Sequence, residues 1–438
     1  MKKLEEYQGG ENFDLREMLL KGRQLKLKDK TEYFTRFVND LTETKQMHHM
    51  RCISSAADRE VQVVDRYSGR QRKMTMFGSN NYLGLANHPY VKKKAAEAIS
   101  EYGAGIGGPP LLNGYTILHR RLEERLAYLK GTEDVLIFSS GYGANVGLVS
   151  GLLNANDIVV YDAYSHASFC DGIKMADAQS YRFPHNNILL LNQRLEQSAS
   201  DSNRDIYVGV EGVYSMDGDL VPLDKIVPLC KSKGAVLIVD DAHGTGVMGR
   251  TGKGTSEHFG MEGSIDITMG TFSKTFAATG GFVAASKPII NYLRFFARSY
   301  MFSASLPPVS IAMVLACLDV LEQEPELLER LWDNIRYTAS RLNEIGIDTK
   351  SQSAIFPLRV PVGMDLRKAA CKFHEKGIFV NSVEYPAVPI SQQRFRISIM
   401  ATHTKEDIDN LIEAIDEIWS EFKSVSSNKI KQINNAAA

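Results

Sequence analysis

The sequence has few cysteines, almost no net charge and no long apolar run, and each shortage excludes a class of protein. Its five cysteines are spread over 438 residues and never occur as Cys-x-x-Cys, so neither a disulfide framework nor a zinc site is expected. The 51 basic and 52 acidic residues leave a net charge of −1, which argues against a phosphate-reading nucleic-acid surface. No uncharged apolar run reaches the roughly 18 residues of a transmembrane helix.

The first residues also lack the features of a targeting segment. The stretch 1–6 mixes lysines with acids, whereas a secretory signal has an apolar core and a transit peptide avoids acids. The chain is therefore expected to be cytoplasmic. Residues 1–75 are interpreted as an N-terminal segment of unassigned function. Its adjacent His48 and His49 are attributed to a solvated turn, and no metal site is expected.

The central part of the chain has the pattern of an α/β protein. Short apolar runs alternate there with helical stretches, at residues 135–138, 158–161, 206–210, 236–239, 265–269 and 281–285. This alternation predicts a mostly parallel central sheet with helices on both faces. Ligands of such sheets bind at the loops beyond the carboxyl ends of the strands, so those loops are the place to search for chemistry.

The pattern also divides the chain. A large domain is expected over residues 76–320 and a smaller C-terminal α+β domain over 321–423, with strands at 355–360 and 395–399. The polar, then alanine-rich end at 424–438 is expected to be a disordered tail.

Two glycine patterns match the dinucleotide fingerprint G-x-G-x-x-G, at 103–108 and 244–249. A helical stretch precedes the first, where a strand is needed. A polar loop follows the second, where a helix should begin. Both contexts are wrong, so NAD binding is not predicted.

Four strand-end loops carry groups that could act together. A glycine-rich turn at 139–145 opens a helix and could bind a phosphate, or it could be a plain strand-to-helix turn. His166 follows the next strand and could stack on a planar ligand, although a structural histidine is the commoner case.

The other two loops add an acid, a second histidine and a lysine. Asp240 could hold a proton on a heterocyclic nitrogen or cap a strand, with Asp241 as the second candidate, and His243 could meet a phenolate. Lys274 could form a Schiff base if desolvation lowers its pKa, although a single lysine is usually a surface residue. Together the four loops supply the set that pyridoxal phosphate (PLP) requires.

These and further motifs resemble the α-oxoamine synthases, a family of fold-type I PLP enzymes. Members include 8-amino-7-oxononanoate synthase, 2-amino-3-ketobutyrate CoA ligase, 5-aminolevulinate synthase and serine palmitoyltransferase. The resemblance runs from about residue 77 to 422. The motifs that carry it are GSNNYLGL (78–85), LHRRLEERLA (118–127), FSSGYGAN (138–145), SHAS (165–168), EGVYSMDGDL (211–220), VDDAHGTGVMG (239–249), GTFSKTF (270–276), FSASLPP (302–308) and RFRISIMATHT (394–404).

The resemblance implies a fold and a role for each matched residue. The fold is that of the fold-type I, aspartate aminotransferase-like transferases. The implied roles are Schiff-base formation by Lys274; pairing with the pyridine nitrogen by Asp240; bonding to the phenolic oxygen by His243 and Ser215; ring stacking by His166; phosphate binding by Gly141, Tyr142, Thr271 and Ser273; and binding of the amino-acid carboxylate by Asn80 and Arg396. Ser303 would reach the phosphate site of a partner subunit, which implies a homodimer with shared active sites.

The neighbouring Arg394 receives no such role. It is interpreted as a solvent-side residue of an edge strand that alternates with buried Phe395 and Ile397.

The implied activity is that of a PLP-dependent acyltransferase. A small amino acid (glycine, alanine or serine) would condense with an acyl thioester, either acyl-CoA or acyl-carrier protein, to give an α-amino ketone, CO2 and free thiol. Pro109 and Pro110 depart from the family pattern in a loop that lies near the substrates in the family. The sequence therefore does not decide whether the acyl group arrives on CoA or on a carrier protein. The stretches 297–305 and 399–404 favour a long acyl donor, as in serine palmitoyltransferase, while 239–246 is closer to the oxononanoate synthases.

Two other functions are kept as alternatives. One is another fold-type I enzyme such as an aminotransferase. The other is a non-catalytic subunit of a heteromeric synthase, against which the intact Lys274 argues.

Overall fold

The computed structural model describes residues 15–198, 204–361 and 363–436. Its α-helices are α1 (Leu15–Gly22), α2 (Leu27–Glu43), α3 (Pro89–Tyr102), α4 (Ile117–Lys130), α5 (Gly141–Leu152), α6 (Ala167–Ala176), α7 (Ile188–Ser198), α8 (Leu223–Lys233), α9 (Thr255–His258), α10 (Lys287–Phe296), α11 (Arg298–Met301), α12 (Pro308–Gln323), α13 (Glu326–Glu344), α14 (Leu366–Glu375) and α15 (Lys405–Ala436). Short 3-10 helices lie at Leu85–Asn87 and Ile390–Gln392. None of the helices in the described ranges is long and apolar enough to cross a membrane.

The strands form three sheets within the described ranges. They are β1 (Cys52–Ile53), β2 (Glu60–Val64), β3 (Gln71–Met76), β4 (Asp134–Phe138), β5 (Ile158–Asp162), β6 (Gln179–Phe183), β7 (Ile206–Glu211), β8 (Val236–Asp240), β9 (Ile267–Thr271), β10 (Gly281–Ala285), β11 (Ile355–Arg359), β12 (Ile378–Phe379), β13 (Asn381–Val383) and β14 (Arg394–Ser398).

The central sheet has the order β4-β10-β9-β8-β7-β5-β6. Strand β10 runs antiparallel to both of its neighbours, and the remaining pairs are parallel. The predicted mostly parallel α/β sheet is therefore confirmed. Because β5, β7, β8 and β9 are parallel, their carboxyl ends lie along one edge of the sheet.

Burial on both faces explains the apolar runs of this sheet. Every residue of β10 is buried, and successive side chains point to opposite faces. Phe282 and Ala284 join the core beneath α4 and α12, whereas Val283 joins the core beneath α5. Strand β6 was not predicted, because most of its side chains are exposed or half-buried and it lacks an apolar run.

The C-terminal sheet corrects the interpretation of Arg394. Strand β14 lies in the middle of the antiparallel order β11-β14-β13, not at an edge, and the Arg394 side chain is fully buried. Its Nη1 donates to Asp217 Oδ1 at 2.6 Å and to the Met216 carbonyl at 2.9 Å. A guanidinium can be buried when it is paired in this way, and a sequence pattern does not show the partner.

The N-terminal segment packs against the C-terminal part of the chain. Strand β3 pairs in parallel with β12, so the small sheet β1-β2-β3-β12 joins segments about 300 residues apart. His48 and His49 do not form the expected solvated turn, because both side chains contact the C-terminal part of the chain. His48 Nε2 lies 3.2 Å from Cys371 Sγ, and His49 lies 3.6 Å from Glu384 Oε1. In the described part of the chain, no group of His, Cys, Asp and Glu could hold a metal ion.

The end of the chain also differs from the expectation. Helix α15 continues to Ala436, through most of the segment 424–438 that was expected to be disordered, and residues 437–438 lie outside the described residues. The stretch 423–436 contains neither glycine nor proline, so nothing in it terminates a helix that has already formed.

A partly buried ion-pair cluster links the ends of β5 and β6 to the loop before α8. His185 lies 3.1 Å from Asp162 Oδ1 and 2.7 Å from Asp219 Oδ2, and its ring stacks on Tyr164 at 4.1 Å. Burial lowers the pKa of His185, but the hydrogen bonds and charges of the two carboxylates outweigh it and raise the pKa to about 9.

This cluster predicts a pH-dependent stability. Because the pKa of His185 is raised in the folded state, the cluster contributes fully to the free energy of unfolding below the unfolded-state pKa of about 6.5. This contribution is lost as the pH rises through about 9. His185→Gln should lower the free energy of unfolding by up to about 3 kcal/mol at pH 6 and by clearly less at pH 10. Urea denaturation across this range measures the difference, with the exposed His258→Gln as control. A loss that is independent of pH would contradict the prediction.

Candidate active site

Lys274 lies in the loop that follows β9, at the carboxyl edge of the sheet. It is half-buried, and no hydrogen bond or ion pair joins its Nζ to any residue in the described ranges. Burial lowers its pKa to about 8, although the charges of Asp240 and Glu211 oppose this shift. An unpaired amine with a lowered pKa is what covalent bonding to an aldehyde requires.

The two neighbouring aspartates at the end of β8 have different surroundings. The negative charge of Asp240 acts on Lys274 and raises its pKa. Asp240 also accepts a hydrogen bond from Asn145 Nδ2 at 2.7 Å. Asp241 is instead held by Lys130 Nζ at 2.8 Å and by the Thr255 hydroxyl at 2.8 Å. The charge of Asp241 is therefore paired with a buried lysine. Asp240 accepts from Asn145 and from the Ala242 N–H but forms no ion pair in the described ranges, so it is the strand-end carboxylate whose charge can serve a ligand.

His166, the predicted stacking residue, lies close enough to Asp240 and Lys274 for their charges to act on its ring. His166 follows β5 and caps the N-terminus of α6, and its Nδ1 lies 2.7 Å from Ser168 Oγ. Burial lowers its pKa, while the charge of Asp240 acts in the opposite direction. The ring of Tyr142 meets the His166 ring edge-on at 6.4 Å.

Three of the predicted phosphate ligands, Gly141, Thr271 and Ser273, come together at the N-terminus of α5, whereas the fourth, Tyr142, lies in the first turn of that helix and its hydroxyl donates to Asp171. The helix begins at Gly141, and Ser140 Oγ accepts from the Gly143 N–H at 2.9 Å. A Cβ at position 141 would lie 2.6 Å from Thr271 Oγ1, so only glycine fits against that hydroxyl. Thr271 Oγ1 in turn lies 2.9 Å from Ser273 Oγ. Free N–H groups, the positive end of the helix dipole and two hydroxyls form a cradle that fits a phosphate.

The carboxylate site joins three distant segments. Arg396 Nη1 donates to Asn80 Oδ1 at 2.9 Å, and Arg396 Nε donates to the Ser215 carbonyl at 2.6 Å. Arg396 is 5% exposed, and its Nη2 has no hydrogen-bond partner within the described ranges. The Nη2 group of this buried guanidinium therefore remains available to donate to a carboxylate.

His243 lies behind this site. Its Nδ1 is 2.7 Å from the hydroxyl of Tyr82, and both rings are buried. Burial and the nearby charges of Lys274 and Arg396 hold the pKa of His243 well below its usual range, so the ring is neutral.

Ser303 is not brought together with the others. It follows α11 and lines a small cavity with Tyr115, Glu123 and Ser139. Among the described residues, no hydrogen bond joins Ser303 to another predicted site residue.

Glu211 was missed by the sequence analysis, although it opens one of the quoted motifs. It ends β7 in register with Asp240 on β8, and its side chain is buried. Burial and the charge of Asp240 raise the pKa of Glu211 well above its usual range, so it remains protonated beside Asp240. The available signal was an acid at the carboxyl end of a strand next to that of Asp240.

Comparison with known proteins identifies the family of this chain. Residues 72–415 match the model of the family aminotransferase class I and II. The chain is 41% identical to a serine palmitoyltransferase of Bacteriovorax stolpii over 347 residues, which are 79% of this chain and 82% of the relative. It is 40% identical to an 8-amino-7-oxononanoate synthase of Lysinibacillus sphaericus over 352 residues, 80% and 90% of the two chains.

The chain belongs to the α-oxoamine synthase family. A solved structure of serine palmitoyltransferase with its PLP internal aldimine covers 90% of this chain and 98% of its own, at 31% identity and a TM-score of 0.84. This α-oxoamine synthase has the fold-type I transferase fold and is a PLP-dependent acyltransferase. The unpaired Lys274 and the cradle at Gly141 fit that cofactor.

Proposed function

We propose that this enzyme condenses a small amino acid with an acyl thioester, releasing CO2 and a free thiol and leaving an α-amino ketone. The observation that carries the proposal is the free Nη2 group of Arg396, held beside Asn80 in the same site as the unpaired Lys274. A guanidinium fork can hold a carboxylate in a fixed direction, as the loss of CO2 requires.

Bound PLP would supply an electron sink conjugated to the amino group of the substrate. Asp240 would keep the pyridine nitrogen protonated, His166 would stack on the ring, and His243 and Ser215 would bond the phenolic oxygen. The phosphate would be held by Gly141, Tyr142, Thr271 and Ser273. Each of these roles is a proposal for this chain.

Lys274 would also move the α-proton of the amino acid. A pKa of about 8 places its amine close to neutral pH, where a base both accepts and returns a proton efficiently. Neutral His243 cannot compete for that proton, because its pKa lies well below the usual range.

The active sites would be shared in a homodimer, in which Ser303 reaches the phosphate site of the partner subunit. Within the described ranges Ser303 makes no hydrogen bond to the other predicted ligands of its own chain, which is consistent with such a role. Size-exclusion chromatography with light scattering tests the dimer, and a Ser303→Ala variant with weakened cofactor binding would support the shared site.

The acyl donor is proposed to be a long-chain thioester, on the strength of the stretches 297–305 and 399–404. Pro109 and Pro110 form a tight turn in which the Pro109 carbonyl accepts from the N–H groups of Leu112 and Gly114. The turn leaves the Leu112 side chain 81% exposed, where an apolar acyl chain could meet it.

Product analysis tests the proposal. The enzyme is incubated with carboxyl-labelled glycine, alanine or serine and with short- or long-chain acyl-CoA, and labelled CO2, free thiol and amino ketone are measured together. Equal amounts of the three products support the condensation. Formation of a keto acid without CO2 would indicate an aminotransferase, and no product with any pair or with acyl-carrier protein would indicate a non-catalytic subunit.

Arg396→Lys is predicted to weaken amino-acid binding by about one to two orders of magnitude, as expected for a loss of about 1.5–3 kcal/mol of charge-assisted bonding. Cofactor binding should be unchanged. Titration of the cofactor absorbance with amino acid measures the effect.

The matched control for this prediction is Arg359→Lys. Arg359 is an exposed arginine on neighbouring β11, with only a long contact of 3.7 Å to Asp217. Buried Arg394 donates to Asp217 at 2.6 Å, so its replacement would disturb that loop. Equal, small effects of the Arg396 and Arg359 substitutions would contradict the carboxylate role.

A further inference from the structure

Tyr82 lies between the proposed amino-acid site and His243 and has no role in the mechanism described so far. Its side chain is 1% exposed, and its hydroxyl contacts His243 Nδ1 at 2.7 Å and Asn80 Oδ1 at 3.3 Å. We propose that Tyr82 is a positioning residue that holds the proton of His243 on Nε2 and couples His243 to Arg396. The proposal rests on the proposed function, in which His243 bonds the phenolic oxygen of the cofactor.

The directions of these hydrogen bonds are constrained by Arg396, the donor at one end of the series Arg396–Asn80–Tyr82–His243. An arginine can only donate, so Arg396 Nη1 requires an acceptor at Asn80 and places the amide oxygen there. The single hydroxyl hydrogen of Tyr82 then has two acceptors in reach. The alternative is that His243 Nδ1–H donates to Tyr82, which then donates to Asn80. The first arrangement, in which Tyr82 donates to His243, is favoured because the 2.7 Å contact is the better hydrogen bond for the hydroxyl than the 3.3 Å contact to Asn80 and because this arrangement leaves a proton on Nε2 for an anionic oxygen.

This direction determines the tautomer of His243. A neutral imidazole carries one N–H, and a nitrogen that accepts a hydrogen bond cannot carry it. Because Nδ1 accepts from Tyr82, the proton resides on Nε2. That nitrogen makes no hydrogen bond to another residue in the described ranges, so it is free to donate to an anionic oxygen. The opposite tautomer would present a lone pair to the phenolic oxygen and repel it.

Neighbouring charges keep this arrangement intact. His243 stays neutral because burial and the charges of Lys274 and Arg396 disfavour a second proton. Tyr82 stays protonated because burial raises its pKa. A continuous chain of contacts therefore runs from Arg396 through Asn80 and Tyr82 to His243, and joins the carboxylate site to the phenolic-oxygen site.

The decisive measurement is the tautomer of His243, read from ring 15N shifts in histidine-labelled protein with and without cofactor. His243→Gln assigns the signal. The wild-type enzyme is expected to show the Nε2–H form alone, whereas Tyr82→Phe should show a mixture that contains the Nδ1–H form. Tyr82→Phe should also bind the cofactor about tenfold more weakly, as expected when one aligned hydrogen bond is lost.

Tyr337→Phe is the matched control. Its hydroxyl also donates to a side chain, Asp409 at 2.8 Å, but it lies in the C-terminal part of the molecule, away from His243. This variant should change neither the tautomer nor the affinity for the cofactor. Circular dichroism shows whether each variant is folded.

A double-mutant cycle tests the coupling. Tyr82→Phe and Arg396→Lys should have non-additive effects on the tautomer ratio, since Arg396 acts on Tyr82 both through Asn80 and directly. The Nδ1–H form in the wild-type protein, or an unchanged tautomer in folded Tyr82→Phe, would overturn the proposal, and additive effects would overturn the coupling. The tautomer does not depend on turnover, so failure here is distinct from failure to detect CO2 in the product analysis.

Discussion

Replacing Lys274 by alanine is expected to abolish both covalent retention of the cofactor and turnover. The Nζ of Lys274 is the half-buried amine without a described partner at the carboxyl edge of the sheet, and its pKa of about 8 makes the neutral form accessible. Loss of a nucleophile that is also the base should lower the rate by about four orders of magnitude or more. Product formation and cofactor fixed by borohydride, located by peptide mass mapping, measure the two effects.

The exposed Lys225 provides the control for this prediction. Lys225→Ala should retain the fixed cofactor on the peptide that contains Lys274 and should keep normal turnover. Cofactor that is still fixed in Lys274→Ala would show that another lysine forms the bond.

Asp240→Asn should keep the cofactor but lower turnover by about three orders of magnitude. A neutral amide cannot stabilise the protonated pyridine nitrogen on which the electron sink depends. The amide oxygen can still accept from Asn145, so the local structure should survive. Steady-state rates together with the cofactor content of the purified variant measure the effect.

Asp241→Asn separates catalysis from stability at the same strand end. It removes the charge that pairs with buried Lys130, so it should lower the free energy of unfolding by about 3–5 kcal/mol. Urea denaturation measures this loss. Near-normal turnover in Asp240→Asn, or a larger catalytic loss in folded Asp241→Asn, would reassign the role to Asp241.

The positions of the site loops could be predicted because their signals are local. Strand β8 is a short apolar run that ends at Asp240, and Lys274 lies three positions beyond the end of β9. Parallel strands place such loops on one edge regardless of the details of packing. The family resemblance added roles to positions that this pattern had already grouped.

Side-chain burial and partners could not be predicted in the same way. Arg394 has the alternating pattern of an edge strand, yet β14 is flanked on both sides and Asp217 pairs with the arginine from another part of the chain. Asp240 and Asp241 are adjacent and chemically identical, and their neighbours alone decide that the second is held by Lys130.

The sequence by itself determined the fold class, the cofactor and the loops that carry Lys274 and Asp240, because strand patterns and short motifs depend on neighbouring residues. The tertiary structure decided which atoms remain free. Arg396 meets Asn80 across 316 positions, and Tyr82 meets His243 across 161. A hydrogen bond at such a separation depends on how whole sheets pack and register, and no local pattern in the chain encodes that geometry.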